Sequence, residues 1–370
     1  MADTKKKKKK KKGRVIRPPG LYVDPDTGQK ISTHSMIKTF RRCPKQAEYK
    51  YVERLKPKIM GRPLRLGTWM HRLEEVHALG GDWRAEHARM KKDLWDKLFD
   101  EEKADIGDLP GDAERLMTSY LWHYKDDDWI YLESEFVLEC TFPDGTLYRA
   151  KIDNLVENQF GLWIVDHKWH KRLPNHGYRI LDSQSGLYVW AALQNGLKVQ
   201  GHIWNYGLSK PPTWPAQLKG SGLPARWNQV QTDYPTMVRW FREYFDGKLP
   251  RAYADKMRYL KSMRYQFGKP NQSPFFQRVI LERSEEMLYR VAREGNRTSQ
   301  RMHSYDFTDS DSVERVPDRS CTFMCSYTDL CSNELFLGRK DDATRRARFK
   351  QGDPMDYYQD EANDPEKENI

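Results

Sequence analysis

Three charged residues stand where a buried β-hairpin would place apolar ones. In AKIDNLVENQFGLWIVDHKWHK, residues 150–171, Asp153, Asp166 and Lys168 interrupt an apolar alternation. A symmetric turn at NQFG pairs positions that sum to 319, which sets Asp153 opposite Asp166 with Cβ atoms about 5 Å apart. Alternation puts Lys168 on the face of Asp166, about 7 Å further along, and turns His167 the other way. Two facing carboxylates repel unless something positive sits between them. Oxygen-rich sites of this kind suit Mg²⁺ or Mn²⁺, and a nearby ammonium can orient or deprotonate a water and counter charge developing on a phosphate. The bland alternative is an Asp153–Lys168 ion pair on a wet sheet face, which contributes little. Leu162, Ile164 and Val165 weigh against it, because they make the strand look covered and a covered charge must be paired or metal-bound.

Other reactive side chains fall at suggestive spacings. His71 lies in LRLGTWMHRLEEVHALG, where Leu66, Met70, Leu73 and Val76 recur at helical spacing. Glu133 and Glu135, in LESEF, share one face of a strand, and either can serve a metal. Gln184 and Tyr188, four apart in QSGLY, share one face of a helix. Of five cysteines, Cys43 stands in FRRCP and Cys321, Cys325 and Cys331 in CTFMCSYTDLC, while Cys140 follows an alternating strand and reads as a buried hydrophobe. If Cys43, Cys321, Cys325 and Cys331 share one metal centre, it closes a loop of about 280 residues and fastens the end of the chain to its first helix. Four sulfur ligands fit Zn²⁺ or an iron–sulfur cluster.

Together these residues resemble the PD-(D/E)XK nuclease superfamily in its RecB-like branch, where an Asp on one strand precedes Asp/Glu-x-Lys on the next. GTWMH, with Gly67 and His71, resembles the helix that supplies a His metal ligand there. Glu133 or Glu135 resembles the acid on the preceding strand, and Gln184 with Tyr188 resembles the Q-x-x-x-Y motif of the following helix. The cysteines resemble those that hold an iron–sulfur cluster in AddB-type enzymes and CRISPR-associated RecB-like exonucleases. The late spacing here is C-x3-C-x5-C, where the family usually has C-x2-C-x5-C, and Trp169-His170 stands where Thr-Gly is common.

The resemblance implies a Mg²⁺- or Mn²⁺-dependent phosphodiester hydrolase, a DNA exonuclease acting on ends or single strands in replication, recombination or repair. It assigns metal ligation to His71, Asp153, Asp166 and the backbone carbonyl of His167, water positioning to Lys168, and a grip on the scissile strand to Gln184 and Tyr188. It implies a [4Fe–4S] cluster on Cys43, Cys321, Cys325 and Cys331, with Zn²⁺ as the alternative. DNA is the expected partner, with a recombination or replication protein beside it. Two other readings remain: a cysteine-clipped DNA-binding recombination or packaging factor with a vestigial nuclease site, and an end-trimming nuclease of a spacer-acquisition complex.

The elements that must position these groups can be read from periodicity. A Ser/Thr cluster caps a helix from about Met36 that Pro44 breaks, and a second helix follows from about residue 45. Helices are expected at 64–80, 84–104 and 112–126; strands at 129–141, 146–157 and 162–169; a helix at 179–195; and a strand at 199–207. The fold class is then α/β, a restriction-endonuclease-like core of order αβββαβ with a mixed sheet flanked by helices, a helical insertion and a cysteine-clipped C-terminal region. Further helices are expected near 233–246 and 277–294. The domain division reads as a Lys-rich tail at 1–18, a nuclease domain at 19–338 with its core at about 64–208 and a Cys region at 270–335, and a charged, disordered tail at 339–370.

Charge fits this division. Of the net +11, residues 1–12 hold +7 and residues 351–370 hold −6, so the body keeps +10. A basic body suits a polyanionic partner. The 370 residues suffice for a full α/β core. No apolar run approaches the roughly 20 residues that span a bilayer, and the N-terminus reads as lacking a secretory signal. A cytoplasmic, reducing location is expected, the host's if the protein is phage-borne, and an odd cysteine number argues against a disulfide framework.

Overall fold

The computed structural model describes residues 21–24, 27–174, 176–215, 231–266, 269 and 273–358. The Lys-rich run and residues 359–370 of the acidic end lie outside them. Strand β1 (Ile31–Ser32) leads into helix α1 (His34–Arg42), whose N-cap Thr33 accepts from the Met36 N–H. Pro44 opens α2 (Pro44–Ala47), which runs on as a π-turn, Glu48–Val52, before β2 (Leu55–Pro57). Then come α3 (Arg62–Ala78), α4 (Trp83–Met90), α5 (Asp100–Ile106) and α6 (Leu109–His123). The β-rich stretch is β3 (Ile130–Thr141), β4 (Leu147–Asn158) and β5 (Gly161–His170), followed by α7 (His176–Ile180), α8 (Ser183–Gln194) and β6 (Val199–Leu208). Helices α9 (Tyr234–Tyr244) and α10 (Ala254–Ser262) precede β7 (Phe276–Glu282) and α11 (Glu285–Ser304). The last described elements are α12 (Cys321–Met324), α13 (Thr328–Leu337), α14 (Asp342–Arg348), β8 (Phe349–Gln351) and a short 3₁₀ turn, Asp356–Tyr358.

Six strands form one mixed sheet. Neighbours run β1-β4-β5-β6-β7, and β3 lies on the other edge of β4. β3–β4, β4–β5 and β6–β7 are antiparallel; β1–β4 and β5–β6 are parallel. The helix–three strands–helix–strand order is as the sequence implies, and the mixed α/β sheet flanked by helices is the expected restriction-endonuclease-like core. Both faces are covered. Ile152 and Ile164 join a core with residues of α1, α8 and α11, while Trp169 packs with α3, α4, α6 and Phe276. β5 therefore alternates between two layers, which is why its pattern reads as nearly continuous burial.

Two expectations are corrected. Residues 276–282 are strand rather than helix: FQRVILE carries β-branched residues in a short run, pairs with β6, and the helix starts only after Ser284 caps it. The region from 270 is thus partly central sheet and main core. Residues 339–358 are not a tail, because α14 and β8 pack back on the N-terminal segment. β8 pairs with β2, Tyr327 stacks on Phe349 with ring centroids 5.3 Å apart, and Tyr327 Oη donates to the Leu55 carbonyl at 2.7 Å. Arg345 bonds Glu53 at 2.9 Å and also pairs with Glu334, itself held by Tyr49 Oη at 2.6 Å. Composition hid this, because charged residues there are paired rather than solvated. Among the described residues no helix is long and apolar enough to cross a membrane.

Candidate active site

The hairpin register is the expected one, and it ends where chemistry begins. The β4–β5 ladder pairs Asn158 with Gly161 and continues to Asn154 with Val165. Asp153 and Asp166 come next and fall outside it. In place of another rung, Asp153 Oδ2 accepts the His167 N–H at 2.8 Å. The strands part here, and both carboxylates stay buried at 4% and 1% exposure.

β3 brings a third carboxylate. Its register shifts between Tyr131 and Glu133, after which Ser134 pairs with Asn154 and Phe136 with Ile152. Glu135 sits between those rungs, at the level of Asp153, with φ of 53°. A left-handed non-glycine residue inside a strand carries local backbone strain and persists only where its surroundings hold it. Lys151 does so through an ion pair with Glu135 at 3.0 Å. Glu133 is exposed. The strand-face alternative left open by period-2 reading is thereby decided in geometry for Glu135.

Helix α3 supplies the nitrogen. His71 Nδ1 lies 3.5 Å from Asp153 Oδ2 and 4.0 Å from Glu135 Oε1. Ligand atoms of His71, Glu135 and Asp153 all lie within 4.8 Å of one another, the one such group of three or more among the described residues. One turn on, Glu74 Oε1 meets His167 Nδ1 at 3.1 Å, and His167 Nε2 meets Asn154 Oδ1 at 2.8 Å. The His167 imidazole is thus engaged by Glu74 and Asn154 rather than by Asp153 or Asp166, as alternation requires. Its ring would be less basic through burial, but Glu74 outweighs that and raises it above the usual range. This buried network fixes α3 against β4 and β5, hence His71 against Asp153.

On the other face, Lys168 is ion-paired with Asp166 Oδ2, and Gln184 Nε2 donates to Asp166 Oδ1 at 2.9 Å. Asp182, the N-cap of α8, accepts from the Gln184 N–H at 2.9 Å and fixes where that helix starts. Tyr188, one turn on, is buried with its ring 6.2 Å from His202. Burial and then Asp166 push its phenol well above the ordinary range.

Environment splits the carboxylates. Burial would raise Asp153, but His71, Lys168, His167 and the backbone bond together hold it below its usual value. Asp166 is pushed up to about 6 by burial, despite Lys168, with Asp153 adding repulsion. Glu135 rises to about 7 through burial and Asp153. Lys168 is disfavoured as an ammonium by burial, yet Asp166 and Asp153 overcome this and raise it, so it stays charged. Three carboxylates face two ammonium groups. That excess of negative charge, with an imidazole at one corner and oxygens elsewhere, fits a hard divalent cation.

The sequence reading missed Lys151, Glu74 and Asn154. Lys151 shares the strand face of Asp153, and Glu74 is three residues from His71 on one helix face, so a weak signal existed. Tyr357 had none: its ring centroid lies 4.6 Å from Lys151 Nζ, brought there by the 3₁₀ turn beyond β8.

Of the cysteines, Cys325 and Cys331 pack against a small core of Tyr49, Leu55, Tyr327, Leu330 and Phe349. Cys43 joins α1 to α2, and the Lys45 N–H donates to the Glu314 carbonyl at 3.0 Å, tying that junction to the strand of chain before α12. The Asp318 N–H lies 3.5 Å from Cys321 Sγ, Arg315 donates to Cys331, and burial raises the Cys325 thiol although the Tyr327 backbone bond and Arg42 pull it down. All five cysteines are free.

Residues 32–332 match the PD-(D/E)XK nuclease superfamily. A comparison with curated proteins gives no match. Sixteen solved chains are similar, among them the crystal structure of SSO0001, at 12% identity over 65% of this chain and 85% of that one, with a TM-score of 0.23. The family match, however, runs from the cap of α1 past Cys331 and has the parted hairpin at its centre: this chain belongs to the PD-(D/E)XK nuclease superfamily, whose members are metal-dependent phosphodiester hydrolases.

Proposed function

We propose that the protein is a Mg²⁺- or Mn²⁺-dependent DNA exonuclease acting on ends or single strands, with a role in replication, recombination or repair in the cytoplasm. The observation that carries this reading is the convergence of His71, Glu135 and Asp153 within 4.8 Å, beside the Asp166–Lys168 pair. These groups, with Asp166 and the His167 carbonyl, would hold the metal. When bound, such an ion lowers the pKa of water and neutralises charge on the phosphate and leaving oxygen.

The side chains have their own tasks. Lys168, kept protonated by two carboxylates, orients the attacking water and offsets charge on the phosphate oxygens. Gln184 is a positioning residue that fixes the Asp166 carboxylate through Oδ1. Tyr188 supports the same helix face toward the scissile strand. Burial excludes bulk water from Asp153 and Asp166, which strengthens each of these interactions.

The cysteine set is proposed to hold a [4Fe–4S] cluster, Zn²⁺ being the alternative. Four thiol ligands with Arg42 and Arg315 nearby suit an anionic thiolate centre.

End-labelled linear DNA incubated with the full chain should lose nucleotides in Mg²⁺ or Mn²⁺, while covalently closed circles stay intact. Asp166→Ala should abolish this without changing the circular-dichroism spectrum. Wild-type rates for Asp166→Ala in both metals would sink the site assignment, and equal cutting of circles would sink the exonuclease one.

A further inference from the structure

A second cationic feature shares no residue with the metal centre. α6 and α9 enclose, with the segment Pro211–Trp214, a cavity of about 870 Å³. This is toward the upper end of the roughly 300–1,000 Å³ of small-ligand pockets, so it has room for more than one nucleotide. Its walls carry Arg84, Arg115, Arg239 and Arg242 against one carboxylate, Glu114. Arg115 is committed to Asp112. Arg84, Arg239 and Arg242 have no carboxylate partner among the described residues, whereas Arg72, Arg89 and Arg345 are each doubly paired.

Aromatic rings line the same walls. Trp122 is stacked on Tyr234, with centroids 5.1 Å apart and rings 17° from parallel. Trp214 lies 5.6 Å from the Arg239 guanidinium and packs partly against the small core of α9 and α10. The frame is stiff: Pro211 and Pro212 are buried, Pro235 lies in the first turn of α9, and Asp233 caps that helix. Rings fixed by packing stack on a ligand with little loss of rotamer freedom.

We propose that this cleft is a second nucleic-acid site, which holds a single-stranded stretch of the substrate by phosphate contacts to Arg239, Arg242 and Arg84 and by base stacking at Trp214. Unpaired guanidinium groups select a polyanion, and the aromatic planes select one with flat faces. In a duplex those faces are already stacked on neighbours, so the unpaired strand is favoured. The inference deepens the nuclease reading by naming its substrate class, and it rests on that reading for which nucleic acid is held.

Binding without turnover tests it. Fluorescence anisotropy in EDTA would use the full chain and a labelled oligothymidylate of about 20 nucleotides, longer than the roughly 4–16 that one single-strand site covers. Charge reversal of the exposed pair, Arg239→Glu with Arg242→Glu, should weaken binding about tenfold or more and flatten its salt dependence. Trp214→Ala should weaken it about fivefold or more. Unchanged affinity in the Arg pair, with an unchanged circular-dichroism spectrum, would overturn the cleft and leave the nuclease standing. Equal affinity for duplex of the same length, or for poly-glutamate, would also overturn it. A chain that binds through these residues but never cuts DNA in either metal would overturn the nuclease reading alone.

Discussion

His71 Nδ1 stands 3.5 Å from Asp153 Oδ2, joining helix α3 to the point where the β4–β5 ladder stops. A side chain on a helix and one on a strand meet at this distance only because Glu74, one turn along, is buried against His167. If His71 is a ligand, His71→Ala should weaken Mn²⁺ binding by at least the 10–100-fold typical of disturbing a metal site. Calorimetric titration of the full chain measures this, and an unchanged affinity would remove His71 from the ligand set.

Glu135 and Glu133 should behave differently. Glu135→Gln removes a carboxylate from the group around Asp153 and leaves Lys151 with no acidic partner in the ion pair seen here. Cleavage should fall by about 100-fold or more, comparable to loss of other electrostatic groups in active sites. Glu133→Gln should stay within twofold of the parent. A reversal of that order in Mg²⁺ would show that the strand bulge is misassigned.

The cysteine centre is testable by colour. Anaerobically purified protein should be brown with broad visible absorption, and Cys331→Ala should bleach it and lower the melting temperature. A colourless parent with stoichiometric zinc would replace the cluster by zinc without touching the nuclease.

The end of the chain should matter to stability. Phe349 is buried on Tyr327, so Phe349→Ala should cost about 3–5 kcal/mol. Truncation after Gly338 removes Arg345 as well, leaving Glu53 and Glu334 buried without it, and should be more damaging still. Thermal melts compare the two. Parent-like stability of the truncated chain would return residues 339–358 to the status of a tail.

His202 predicts an acid-side effect. It is fully buried between Trp204 and Tyr188, and burial pushes its imidazole from 6.5 down to about 3. Between those values the unfolded chain binds a proton that the folded one refuses, so stability falls as pH drops through that window. One such group adds a slope of about 1.4 kcal/mol per pH unit. His202→Phe should match the parent near pH 7.5 and exceed it by about 2 kcal/mol near pH 5 in urea unfolding. A constant difference at both pH values would show that the ring is not excluded from protonation.

The hairpin was legible because turn chemistry and alternation are local: a tight turn fixes register, and register fixes which side chains face one another. The same logic carried Gln184, since a helix that follows the second strand presents residues four apart to one surface. It failed for β7, where a short apolar run fits helix or strand equally until the edge of β6 is there to pair with it. It also failed for residues 339–358, where composition cannot show that Arg345 has Glu53 and Glu334 as partners.

By itself the sequence determined the two facing carboxylates, the ammonium beside them and the helix carrying His71, because each follows from a period of 2 or 3.6 along one segment. Only the tertiary structure decided between Glu133 and Glu135. A register shift and a left-handed residue put Glu135 level with Asp153, and such a bulge depends on the partner strand rather than on the strand's own pattern. The same holds for Glu74 with His167 and Tyr357 with Lys151: contacts between distant segments are set by how layers pack, which no single stretch of sequence encodes.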